Sequence, residues 1–194
     1  MFDVDDAAVS SDPEAEGARD SNRVDLTLIL DDEAGEEAGR LNQPLLARVA
    51  QLVLELAGIQ QPVEVNVLVR GDEGLRTLNR GYRGKDTATD VLSFPTLDEP
   101  LVEAPAEERW QDVTSPAVRF ITAPGLPLHL GDIAISYPTV LRQAAEAGHS
   151  PLHEFAFLLA HGILHLVGFD DQTEAGYQRM VALQNAALAR MGIA

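Results

Sequence analysis

Cysteine is absent from the 194-residue chain. That removes disulfide scaffolds, thiolate zinc sites, iron–sulfur clusters and cysteine nucleophiles together. Long apolar runs are missing too, and none approaches the ~20 residues that span a bilayer. The opening residues, MFDVDDAAVSSDPEAEG, are acidic and lack an apolar core, so no secretory signal is expected. Aromatics make up only 5%, and positive charge is scarce: 14 Lys+Arg stand against 31 Asp+Glu, a net charge of −17. Taken over the whole chain, that balance speaks against nucleic-acid binding, which depends on Lys and Arg for phosphate contacts. What remains is 45% hydrophobic residues in a length suited to one domain, which predicts a soluble, cytoplasmic globular protein.

The charge is unevenly spread. Residues 1–22 hold seven acids against Arg19, with Phe2 the one large side chain, and read as a disordered acidic tail outside a domain over 23–194. A second acidic stretch over 96–128 carries five prolines and reads as a long loop or insertion, with one strand-like patch at Val118–Thr122. The opposite bias falls between Arg70 and Lys85, where Arg70, Arg76, Arg80, Arg83 and the chain's single lysine stand close together. The overall charge therefore conceals a basic segment.

Hydrophobic periodicity supplies the elements. Val24–Leu30 and Val63–Val69 alternate as strands, and Asp90–Phe94 and Leu130–Ser136 read as two more. Pro44–Ala57 has helical spacing closed by Gly58, Asp72–Arg80 is a short helix, and Tyr137–Ala147 is another. Ser150-Pro151 offers an N-cap and a first-turn proline for a helix running to Val167, where Gly168 ends it. Thr173–Met191 closes the chain as an amphipathic helix with Tyr177, Met180, Val181, Gln184 and Leu188 near one stripe. Strands mixed with helices, and helices grouped at the end, predict a single-domain α/β sandwich of helices around a small mixed β-sheet. The helix ending at Val167 is apolar on most of its surface and should be central and buried.

That same helix carries the chemistry. His161 and His165 stand four residues apart, so both imidazoles project from one face within ~5–6 Å at Cβ and can hold one metal ion. Gly168 turns the chain back and can bring Asp171 to the ion as a third ligand. Two histidines and a carboxylate leave an open position, as a hydrolytic zinc site requires. Two unpaired imidazoles on an apolar helix would otherwise be costly to bury. Gly162 stands where a metalloprotease helix has its glutamate base, so peptide hydrolysis is disfavoured.

With these residues in view the chain resembles the YbeY family, bacterial metal-dependent endoribonucleases of ribosomal RNA maturation. His161 to Asp170 match the family's H-G-x-L-H-L-x-G-[YF]-D, and Leu78 to Pro95 look like its L-N-x-x-[YF]-R-x-K-D-x-P-T-[DN]-V-L-S-F-P. Leu130-Gly-Asp132-Ile133 resembles a third, shorter block. Two departures stand out. Asp171 replaces the family's third histidine ligand, which should shift metal preference and reduce Lewis acidity. Either Asp171 ligates, or the two histidines hold an ion completed by water. Ala88 replaces a proline, which should only loosen that turn.

The resemblance implies one zinc ion per chain on His161, His165 and Asp171, with no small-molecule cofactor and no membrane. It implies Arg83 as the catalytic residue, a guanidinium able to bind phosphate bidentately. Arg80 and Lys85, extended by Arg70 and Arg76, would follow the backbone of single-stranded ribosomal RNA. Asp86 and Asp90 either orient Arg83 or cap the loop. Tyr82 and Phe169 are either base-stacking platforms or core. His153, two turns before His161, would line the approach to the metal. The implied partners are the small ribosomal subunit and its assembly factors, in 16S 3′-end maturation and ribosome quality control. The alternative is a ribosome-associated binding module whose catalysis is weak or lost because of Asp171.

Overall fold

The computed structural model describes residues 24–110 and 125–193. The acidic tail over 1–22 and the expected strand-like patch at Val118–Thr122 lie outside the described residues.

Four strands form one sheet in the order β1-β2-β4-β3, with β1 (Val24–Leu30), β2 (Val63–Arg70) and β4 (Leu128–Ser136) parallel and β3 (Val91–Pro95) antiparallel at the edge. In β2, Val63, Val65, Val67 and Val69 are buried and the residues between them are not, so the period-2 pattern was a faithful guide. The register of β3 sets Phe94 opposite Asp132 and Pro95 opposite Gly131. Gly131 has φ 132°, and a Cβ there would run into the Phe94 carbonyl, so this crossing needs glycine.

Helix α1 (Gln43–Leu56) starts at Asn42, whose side chain accepts from the Leu45 amide, and buries Leu46, Val49, Ala50 and Val53. Helix α2 (Asp72–Arg83) runs one turn beyond the expected end at Arg80. Arg80 and Arg83 complement the dipole at its C-terminus, and Gly84 closes it in the left-handed conformation at φ 67°. Arg83 is thus held on a helix end and not on a free loop.

Helices α3 (Tyr137–Ala147), α4 (Pro151–Val167) and α5 (Glu174–Met191) complete the chain. One face of the sheet carries α1 and α4, with α3 beside α4 and α5 packed on α1 and α4, and the other carries α2 through Leu75 against Leu92 and Ala134. Helix α4 is the central element, touching α1, α3, α5, β3 and β4. Ser150 caps it by accepting from the His153 amide, and Phe155, Leu159, Ile163, Leu164 and Leu166 are fully buried. Gly162 lets α4 lie close on the sheet, since a Cβ there would stand 2.8 Å from Ile133 Cγ2. The result is the expected mixed α/β arrangement with one buried central helix.

Candidate active site and metal centre

Both histidines of α4 project from the end of an otherwise apolar helix into one cleft. Their Nε2 atoms lie 3.0 Å apart and their rings meet edge to face. His165 Nδ1 donates to the Phe169 carbonyl at 3.0 Å, an outer contact that orients the ring and leaves Nε2 as the nitrogen facing His161. Burial, then the neighbouring His165, pushes the His161 imidazole down to about 4, against the opposing pull of Asp171 and Asp90. His161 is therefore neutral at neutral pH.

The turn after α4 supplies the third group. Gly168 has φ 121°, and Phe169 is buried at 2% exposure, anchoring the turn in the core. Phe169 is thus excluded as a stacking platform. Asp171 follows with its carboxylate oxygens 3.7 Å from His161 Nε2 and 3.9 Å from His165 Nε2. One donor atom from each of His161, His165 and Asp171 falls within 4.8 Å of the others. Two converging lone pairs and a carboxylate repel one another unless a cation or proton lies between them, and this donor set fits zinc.

The first part of the acidic stretch packs over this turn. The amides of Leu101 and Val102 donate to Val167 O, Trp110 N donates to Gly168 O, and Trp110 Nε1 donates to His165 O at 3.1 Å. Asp170 N donates to Glu108 O, and the Thr173 hydroxyl donates to the Glu107 carbonyl. Residues up to Trp110 thus brace the metal-site turn.

The cleft is about 900 Å³, and Arg83, Lys85, Asp90 and Ser93 line it together with His161, His165 and Asp171. Among the described residues, neither Arg83 nor Lys85 has a carboxylate within ion-pair distance. The other bases are committed elsewhere. Arg70 pairs with Asp31 at 2.8 Å, and Arg76 makes a two-pronged contact with Asp86. Arg80 stands 3.8 Å from Asp86 and does not line the cleft. The basic segment is therefore partly self-neutralised, and its open end is Arg83 and Lys85.

Asp86 holds Arg76, which keeps its carboxyl below the usual range. Asp90 accepts from the Val91 amide, the Thr89 hydroxyl and Gln143, so it caps the loop and does not orient Arg83. Tyr82 is 72% exposed, with one side of its ring against Phe94 at 4.5 Å. His153 is absent from the cleft wall and packs on His149, ring to ring at 4.4 Å. Its place two turns down the helix does not bring it to the approach.

Trp110 and Gln184 also line the cleft and were not foreseen as site residues. Gln184 did leave a signal, a polar residue in the apolar stripe of α5. Trp110 left none, since its place depends on contacts with a helix more than fifty residues away.

A family model described as endoribonuclease YbeY matches residues 31–192. Relatives named endoribonuclease YbeY include that of Chloroflexus aggregans, 40% identical over 87% of this chain and 96% of its own. That of Moorella thermoacetica is 43% identical over 76% of this chain and 85% of its own. That of Roseiflexus sp. is 37% identical over 80% and 88%. A solution structure of TM1509 from Thermotoga maritima aligns at 22% identity and TM-score 0.49 over 86% of this chain and 88% of that one. With identities of this size over most of its length, the chain belongs to the endoribonuclease YbeY family.

Proposed function

We propose that this chain is a zinc-dependent endoribonuclease that cuts single-stranded ribosomal RNA. The observation that carries the reading is that a His161–His165–Asp171 cluster shares one cleft with Arg83 and Lys85, which have no carboxylate within ion-pair distance among the described residues. His161 and His165 would hold one ion through Nε2, and Asp171 through a carboxylate oxygen. When bound, the ion supplies Lewis acidity at the scissile phosphate.

The remaining work falls to the side chains. Arg83, presented from the end of α2, binds the phosphate through two parallel N–H bonds and stabilises the charge that develops during cleavage. Lys85 adds a point charge beside it for a neighbouring phosphate. Tyr82, exposed and braced by Phe94, offers an open ring face to an unstacked base, which favours single strands over duplex. Few cations are available, so the electrostatic footprint is short, and an RNA presented on the small ribosomal subunit in the cytoplasm suits it better than free RNA. No helix among the described residues is long and apolar enough to cross a membrane.

The test uses purified protein, zinc and a ribosomal RNA fragment with single-stranded ends. Arg83→Ala and His161→Ala should each abolish cleavage while circular dichroism and thermal unfolding show the fold retained. Full cleavage by both variants, with contaminating nucleases excluded, overturns the reading. Metal analysis separates it from a binding module: about one ion per chain supports the enzyme, and none under zinc-replete conditions supports the module.

A further inference from the structure

We propose that Tyr177 is a nucleobase-stacking residue of the cleft, its ring taking the flat face of one unpaired base in the strand whose phosphates meet Arg83 and Lys85. The inference rests on the RNA-cleaving reading above and adds to it a substrate-binding residue from α5.

By its spacing Tyr177 belongs to the apolar stripe of α5, and its neighbours in that stripe, Met180, Gln184 and Leu188, are buried. Tyr177 is 48% exposed, and of the exposed large hydrophobic side chains among the described residues it is the one that lines the cleft. Its place is set by the backbone before it. Gly176 is buried, and a Cβ there would collide with the Asp170 carbonyl, so glycine lets the first turn of α5 seat against the turn that carries Asp171. Thr173 caps that first turn, accepting from the Gly176 amide and donating to the Glu107 carbonyl. Tyr177 comes next, its amide bonded to Thr173 O at 2.9 Å, so the ring is presented from a braced helix end and not from a free loop.

Other apolar groups accompany it. Val181 stands one turn further along α5, and Phe157 and Leu158 stand one turn before His161 on α4; all three line the same cleft. One cleft thus combines an apolar wall from α4 and α5 with two cations from the end of α2 and the loop after it. A nucleic-acid strand presents the matching chemistry, flat bases on a charged backbone, and single strands are bound by basic grooves that also hold aromatic platforms. Tyrosine suits this task, because its ring is large and loses only two side-chain torsions on stacking. Every base has a π-face, so the contact tolerates sequence, while a paired and stacked base has no face free for it. Tyr82 lies outside the cleft wall, so the two exposed rings meet different nucleotides.

The test uses the zinc-loaded full chain and a ribosomal RNA fragment with single-stranded ends, with thermal unfolding as the check on folding. Tyr177→Ala should raise KM by ~5- to 100-fold, the loss of one base stack. Tyr177→Phe keeps the ring and should recover most of that loss. Abasic nucleotides placed one at a time around the cleavage site then locate the base. At one position the abasic RNA should weaken wild type by a similar factor and add little to the defect of Tyr177→Ala. An unchanged KM in Tyr177→Ala overturns the proposal, as does a Phe variant as impaired as the Ala variant. Full additivity with the abasic defect at every position also overturns it, since the ring would then act on packing and not on a base. If wild type cuts no RNA, the reading above fails and this inference with it; if wild type cuts and Tyr177→Ala has the same KM, this inference alone fails.

Discussion

Gly162 lies between the two histidines, and adding one methyl group there tests how tightly the site is built into the core. In an unconstrained helix Gly→Ala gains about 1 kcal/mol. Here the new Cβ would stand 2.8 Å from Ile133 Cγ2, 2.9 Å from Cδ1 and 3.2 Å from Cγ1. Ordinary contact begins near 3.4 Å, so two atoms must each retreat by about half an ångström. Ile133 is fully buried in β4 and has nowhere vacant to go. Overpacking of this kind costs ~1–3 kcal/mol, which outweighs the helix gain and leaves a net loss of about 1 kcal/mol. Removing Cδ1 with Ile133→Val relieves one of the two clashes. Urea denaturation of wild type, both single variants and the double variant gives the coupling directly. We expect Gly162→Ala to lower stability and the double variant to recover about 1 kcal/mol relative to additivity. A more stable Gly162→Ala, or additivity within ~0.5 kcal/mol, would refute the close approach of α4 to the sheet.

The same substitution should have the opposite sign at Gly81. That position lies in α2 with nothing near an added Cβ, so Gly81→Ala should raise Tm by about 1–4 °C in thermal unfolding, and a fall would contradict the helix assignment. Replacing Asp171 by His should raise zinc affinity in a chelator competition, and unchanged affinity would remove residue 171 from the metal site. Asp72 joins α2 to β4 and α3, and its carboxyl is held below the ordinary value of 3.8 by Arg142, with help from Ser136 and Thr139. Its contribution is therefore complete above pH 3.8 and is lost as pH falls through the lowered folded value. The stability gap between wild type and Asp72→Asn, followed by urea midpoints from neutral to acid pH, should narrow below that pH. A constant gap would refute this.

Much of the protein was written in short stretches of its chain. The cap at Ser150, the valines of β2 and the apolar surface of α4 depend on neighbours a few residues away, so periodicity and cap chemistry identified them. The His161–His165 pair was legible for the same reason, because helical pitch alone puts both on one face. Arg83 was singled out by the family resemblance, yet its place on a helix end followed from the dipole and the Gly84 cap, which extended α2 by a turn. Tertiary structure decided the rest. It neutralised Arg70 and Arg76 with acids on other segments, left Arg83 and Lys85 without an ion-pair partner among the described residues, and set His153 against His149 outside the cleft wall. It also brought Asp171 to the histidines through a turn held by Glu107, Glu108 and Trp110, and set Gln184 of α5 against the Phe157 carbonyl, one turn before His161. These placements rest on pairings between residues far apart in the chain, and local pattern has no access to them. The sequence by itself determined which helix would carry the candidate metal ligands; only the packed structure decided which of the remaining charged and polar side chains could reach them.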